Sequence, residues 1–151
     1  MAEDPINPIA VINDDWKKDC KIDQTNLGNA AARVGELHAK YLKHLTDARL
    51  AIRMVETELL KLRKIKVRYY NSELPKEELA AKKWNPYGKT RPLKTELLEL
   101  IECDDDILEV GERLEKLKTF QVQVESIMKS ISSRGWDIKS AIQWHTFTNG
   151  G

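Results

Sequence analysis

From Leu27 to Tyr69 one stripe of residues returns at steps of four and three without a slip. Its members are Leu27, Ala31, Val34, His38, Tyr41, Leu45, Ala48, Ile52, Val55, Leu59, Leu62, Lys66 and Tyr69. Steps that average three and a half residues keep one face of an α-helix pointed at a partner, so the pattern predicts a long heptad-patterned helix over 24–71. No proline interrupts it, and Gly28 and Gly35 lie off the stripe. Asp23 or Thr25 is the expected N-cap. Such a helix cannot bury its stripe alone; it needs a second long helix or copies of itself. Leu45, Ile52, Val55, Leu59, Leu62 and Tyr69 are the expected oligomerisation residues. His38 and Lys66 are the two breaks in the apolar run, and His38 is expected partly buried in the seam.

The flanking segments complete an all-α reading. "NPIAVINDDWKKDC" predicts a short helix capped by Asn7 with Pro8 in its first turn. Residues 72–91 hold Pro75, Pro86 and the turn-prone Asn85-Pro86-Tyr87-Gly88, and Pro92 follows at once, so they predict a mobile basic and aromatic connection with at most a short helix over 76–83. Over 92–133 helical periodicity resumes. Leu93, Leu97, Leu100 and Ile101 form a first stripe; Ile107, Val110, Leu114, Leu117, Val124, Ile127 or Met128, and Ile131 form the next. "ECDDD" puts acids where the stripe should continue, which predicts a kink or a new cap near Asp104 to Asp106. Gly135 is expected to end that helix in a left-handed turn. Asp137 would then cap a short C-terminal helix over 137–147. The whole of 1–151 reads as one helical domain.

The chemistry concentrates in "KLRKIKVRYYNS", where Lys61, Arg63, Lys64, Lys66 and Arg68 precede Tyr69 and Tyr70 with no acid among them. The chain as a whole carries a formal charge of only +1. Two cations near a helix C-terminus suit its dipole, but five mutually repelling ones are favourable chiefly when a polyanion arrives. The following connection adds Lys82, Lys83, Trp84, Tyr87, Lys89 and Arg91. Cations neutralise phosphates, and flat rings stack on bases that are not already stacked, so the combination favours single-stranded over duplex nucleic acid. Tyr69 continues the seam and is expected packed, leaving Tyr70 the freer ring. The acids at Asp104 to Asp106 are expected to form a solvated face or to meet the basic segment of a neighbouring subunit.

Other chemistries lack their residues. Phosphate-loop, dinucleotide, metalloprotease and nucleophile-elbow motifs are all missing, so no catalytic residue and no cofactor are expected. Cys20, Cys103 and the three histidines have no metal-ligand spacing. No apolar run approaches the roughly twenty residues of a membrane span, and the acidic N-terminus lacks the basic leader of a signal peptide.

Four stretches in order resemble the UvsY-type recombination mediator proteins of phages: "WKKDCKIDQTNL", "KIKVRYY", "DDDILEV" and "SRGWDIK". The resemblance implies a largely helical, non-enzymatic accessory protein of homologous recombination, repair and recombination-dependent replication, assembled as a ring of hexamer or heptamer type. It implies single-stranded DNA, a strand-exchange recombinase and a single-strand-binding protein as partners, and the cytoplasm of an infected host cell as location. Its DNA-binding cations fall on Lys64 and Lys66. A ring would repeat each basic tip, so that weak sites act together on one strand. The competing expectation is a coiled-coil scaffold whose basic helix end binds an acidic protein.

Overall fold

The computed structural model describes residues 7–150, which form five helices and no strand. They are α1 (Pro8–Asp19), α2 (Leu27–Tyr70), α3 (Lys76–Lys82), α4 (Lys94–Glu102) and α5 (Asp105–Thr148). Contacts group the chain into two compact units, one built from residues up to Leu50 and from Leu117 onward, the other from Ala51–Lys116. The long helices α2 and α5 each contribute a segment to both.

In the first unit α1 starts as its sequence dictates. The Asn7 carboxamide accepts from the Ile9 N–H at 3.0 Å, and Pro8 occupies a first-turn position where its missing N–H costs nothing. The cap of α2 is Asn26, whose side chain accepts from the Asn29 N–H at 3.2 Å. Asp23, one of the two expected caps, instead closes a turn onto the Thr25 N–H and hydroxyl, which removes both from the cap. The core joins Ile12 of α1, Leu37, Tyr41 and Leu45 of α2, and Val124, Ile127 and Ile131 of α5. Leu37, only 3% exposed, takes the seam position assigned to His38, which is exposed. Either residue satisfies a three-four spacing between Val34 and Tyr41, and the apolar one goes inward.

Polar groups fasten α1 to this core. The Asp19 carboxylate accepts from Arg33 at 2.9 Å, Lys40 at 2.6 Å and the buried Tyr41 hydroxyl at 2.9 Å. The Arg134 guanidinium of α5 donates to the carbonyls of Asp19 at 2.9 Å and Lys21 at 2.6 Å, filling orphan acceptors where α1 ends.

The expected helix end at Gly135 does not occur: α5 runs unbroken to Thr148, and Asp137 lies inside it rather than capping a separate 137–147 helix. The reason is that the buried stripe stays in phase across the glycine, through Ile131, Arg134 and Ile138, which are 1%, 7% and 2% exposed. Continuous packing outweighs the roughly 1 kcal/mol that a mid-helix glycine costs relative to alanine. Gly111→Ala and Gly135→Ala should therefore each raise stability, by about 0.5–1 kcal/mol, as read from urea midpoints. A Cβ at Gly111 meets nothing within 4 Å, and one at Gly135 meets Val34 Cγ1 at 3.8 Å, an ordinary contact. Destabilisation at Gly135 would contradict a continuous helix there.

In the second unit Ile52 and Val55 of α2 are buried along with Leu74, Leu79 of α3, Ile101 of α4, and Ile107, Val110 and Leu114 of α5. Residues 72–91, expected to be a mobile connection, fold onto the end of α2. Ser72, at φ 57°, closes α2 in a Schellman turn, with the Glu73 N–H bonded to the Arg68 carbonyl at 2.9 Å. The expected new cap near Asp104 is present, since its carboxylate accepts from the N–H groups of Asp106 and Ile107 at 3.0 and 3.1 Å and starts α5. Glu96 reaches back to the Leu93 N–H at 3.0 Å to start α4.

The seam residues Leu45, Ile52 and Val55, expected to hold subunits together, are buried within the single chain. α5 occupies the face that sequence alone leaves open to either a second helix or another copy. Leu59, Leu62 and Tyr69 are half-buried.

Candidate nucleic-acid interface

Five cations cannot all project from one side of a helix, and the structure divides them. Lys61, Arg63 and Lys64 are exposed, with no acidic partner among the described residues. Arg68 is half-buried and meets Glu78 of α3 at 3.5 Å. Lys66 faces inward. Its ammonium, on a residue 5% exposed, lies 3.0 Å from Asp104 and 2.7 Å from Asp106. It also sits 4.1 Å from the centre of the Trp84 ring, in cation–π range.

This inward group corrects three expectations. Lys66, expected to project as a DNA-binding cation, is buried and engaged in an ion pair inside the chain. The acids at Asp104 and Asp106 meet the basic segment of their own chain. Tyr70 is not the freer ring either, since its hydroxyl donates to Asp104 at 2.6 Å. Burial alone would push the Asp104 carboxyl up; bonds from Tyr70, Lys66 and the Ile107 N–H outweigh it and hold the group below the ordinary aspartate range. Burial likewise opposes the Lys66 charge, yet Asp106 and Asp104 raise its pKa above that of a free lysine. Burial, then the Asp104 bond and charge, push the Tyr70 phenol up.

The aromatic residues of helix and connection come together. Tyr69 and Tyr70 stand 5.1 Å apart, Trp84 packs 5.3 Å from Tyr69, and Tyr87 lies 5.1 Å from Tyr70. Lys83 carries the turn that allows this. At φ 57° it sends the Trp84 N–H back to the Leu79 carbonyl at 3.0 Å, ending α3 and returning the indole to α2. The Tyr69 hydroxyl then pins the loop by donating to the Asn85 carbonyl at 2.8 Å. The four rings are thus mutually packed and half-buried: Tyr69 as expected, and with it Tyr70, Trp84 and Tyr87, which were expected as free stacking surfaces.

Around them Lys82, Lys83, Lys89 and Arg91 remain exposed. Lys82 lies 5.4 Å from the Trp84 ring centre, Lys89 lies 5.8 Å from that of Tyr87, and Arg91 pairs loosely with Glu73 at 3.7 Å. Sequence reasoning missed the roles of Glu73, Glu78, Asp104 and Asp106 as partners of these cations. One signal pointed to the last two: Lys66 sits in the seam, where a buried charge requires a counter-charge. Among the described residues no three potential metal ligands cluster, and no helix is long and apolar enough to cross a membrane.

Fold and site together define a small all-helical protein with a cationic, aromatic helix end. The chain belongs to the UvsY family, whose model, described as "Recombination, repair and ssDNA binding protein UvsY", matches residues 15–151. The four motifs that suggested the resemblance lie within that range. Similar solved structures are those of the bacteriophage T4 recombination mediator protein UvsY in several crystal lattices. One is 21% identical with a TM-score of 0.78 over 98% of this chain and 100% of the other. A second is 21% identical with a TM-score of 0.77 over 92% and 98%. A third is 22% identical with a TM-score of 0.76 over 90% and 97%. At such identities the likeness establishes the fold. No individually curated protein gives a significant match.

Proposed function

We propose that this chain is a single-stranded-DNA-binding recombination mediator that helps a strand-exchange recombinase replace single-strand-binding protein on DNA. The observation that carries the reading is the row of exposed cations, Lys61, Arg63 and Lys64, at the end of α2, which have no acidic partners among the described residues. Lys82, Lys83, Lys89 and Arg91 of the folded connection extend it. Family membership supports the recombination role. Arg68 can join the row by exchanging Glu78 for a phosphate, because a surface ion pair is worth at most about 1 kcal/mol. Rings that pack on one another shape the surface, and Tyr70 and Tyr87 both line an open cleft.

A homo-oligomeric ring, of hexamer or heptamer type, would line up several such tips. Its contacts must lie away from the seam buried in each protomer. Trp136, Trp144 and Phe147, at 71%, 64% and 79% exposed, are large apolar side chains left for that purpose.

The test is Lys61→Ala with Lys64→Ala, two exposed positions whose replacement leaves the buried Lys66 cluster intact. Anisotropy with a labelled thymidine oligonucleotide should show affinity at low salt reduced about tenfold or more. The salt slope should shrink by about 0.7 for each phosphate no longer neutralised. The sedimenting mass should not change. Affinity equal to that of the parent protein would remove these lysines from the interface. An oligomer indifferent to DNA in dilute buffer would instead favour a scaffold with an acidic protein partner. The pairing of Lys66 with acids of its own chain weakens that alternative.

A further inference from the structure

An open cleft of about 590 Å³ lies next to the aromatic cluster, lined in part by Tyr70, Tyr87, Lys89, Pro92, Glu99 and Leu100. Its make-up differs from that of a plain phosphate groove. Tyr87 presents a half-buried ring, Pro92 and Leu100 add apolar surface, and the Lys89 ammonium lies beside the ring. The Glu99 carboxylate has no ion-pair or hydrogen-bond partner among the described residues. Glu96, which also lines the cleft, is already engaged with the Leu93 N–H.

An unpaired carboxylate repels phosphate, so it weakens a site that holds backbone alone. It becomes an asset when the occupant brings N–H donors on an apolar, planar body. An unstacked nucleobase is such a body. Single-stranded bases are held by stacking on aromatic rings and by hydrogen bonds to their Watson–Crick edges. Among the four DNA bases guanine alone offers two adjacent N–H donors on that edge, matching the two oxygens of a carboxylate. Thymine offers one N–H between two carbonyls, which face the carboxylate with repulsion. Adenine and cytosine each set a ring acceptor beside their amine.

We infer that this cleft is a nucleobase subsite, in which a base lies against Tyr87 while Glu99 accepts from its Watson–Crick edge, and that it gives the protein a preference for guanine. The inference rests on the single-strand reading above. Lys89 and the exposed Arg91 would meet the phosphates on either side of the held base.

The full chain would be titrated with thymidine oligonucleotides carrying a guanine at every fourth position, spaced to prevent four-stranded association. The controls are the all-thymidine strand and strands with inosine or adenine at the same positions. The guanine strand should bind about fivefold more tightly than all-thymidine, the low end for a bidentate contact. Inosine, which lacks the 2-amino group, should fall between them and adenine should match thymidine. In Glu99→Gln the preference should vanish while affinity for all-thymidine is retained or slightly raised. Equal binding of all four strands, or an undiminished preference in Glu99→Gln, would overturn the subsite and leave the single-strand reading standing. Absence of binding to every strand in dilute buffer would overturn both.

Discussion

Replacing Lys66 by alanine is expected to lower the free energy of unfolding by about 3–5 kcal/mol, because it leaves a buried carboxylate without its counter-charge. Asp104 is 6% exposed and Asp106 only half-buried, so Asp104 carries most of the cost. The partner variant Asp104→Asn keeps a residue able to cap α5. Combined with Lys66→Met it should recover a substantial part of the loss, since the double change removes both buried charges. Urea unfolding of Lys66→Met, Asp104→Asn and the double variant gives the coupling energy directly. Simple additivity would mean that the two groups do not share one interaction. Lys66→Ala also removes the support of the Trp84 ring, whereas Lys61→Ala with Lys64→Ala changes exposed positions alone.

The second large effect is expected at Asp19→Ala, at about 2–3 kcal/mol. Its carboxylate is the acceptor for the hydroxyl of Tyr41, a residue with no exposed surface. Removing it leaves that buried donor unsatisfied, a cost of about 1–3 kcal/mol. The half-exposed Arg33 and Lys40 add less. Tyr41→Phe with Asp19→Ala should cost less than the sum of the two, because the first change removes the donor orphaned by the second. Burial raises the Asp19 pKa, but bonds from Lys40 and Tyr41 and the charges of Lys40 and Arg33 leave it lowered overall. Asp104 is lowered likewise. A carboxyl held below its unfolded pKa contributes its full stability above that unfolded value, near 3.8. The contribution fades as the pH falls toward the lower folded value. Stability should therefore decline below about pH 4, and the decline should be shallower in Asp19→Asn and Asp104→Asn. An acid limb unchanged in both variants would show that other carboxylates carry it.

Periodicity made the long helices legible. The stripe of α2 and the run from Ile107 to Ile131 are written in residue spacing, and the caps at Asn7 and Asp104 in local side-chain chemistry. Errors arose where two local readings were equally good. Leu37 and His38 both fit the step from Val34 to Tyr41. Gly135 after two serines and an arginine looks like a helix end, although Ile138 keeps the stripe in phase beyond it. The basic segment showed the same limit on a finer scale. Its composition announced a cationic, aromatic site, but composition does not tell an outward lysine from an inward one.

What the sequence determined by itself was thus much of what depends on near neighbours: helical class, nearly all of each stripe, the caps at Asn7 and Asp104, and the location of excess positive charge. What only the tertiary structure decided was how those groups are partnered. α5 covers the seam that copies of α2 were equally able to fill. Asp104 and Asp106, far from Lys66 along the chain, take that lysine out of solvent. The connection folds its rings against each other. The physical reason is that a charge or an apolar face is satisfied by whichever complementary group approaches, and spacing along a chain does not specify which distant group that will be.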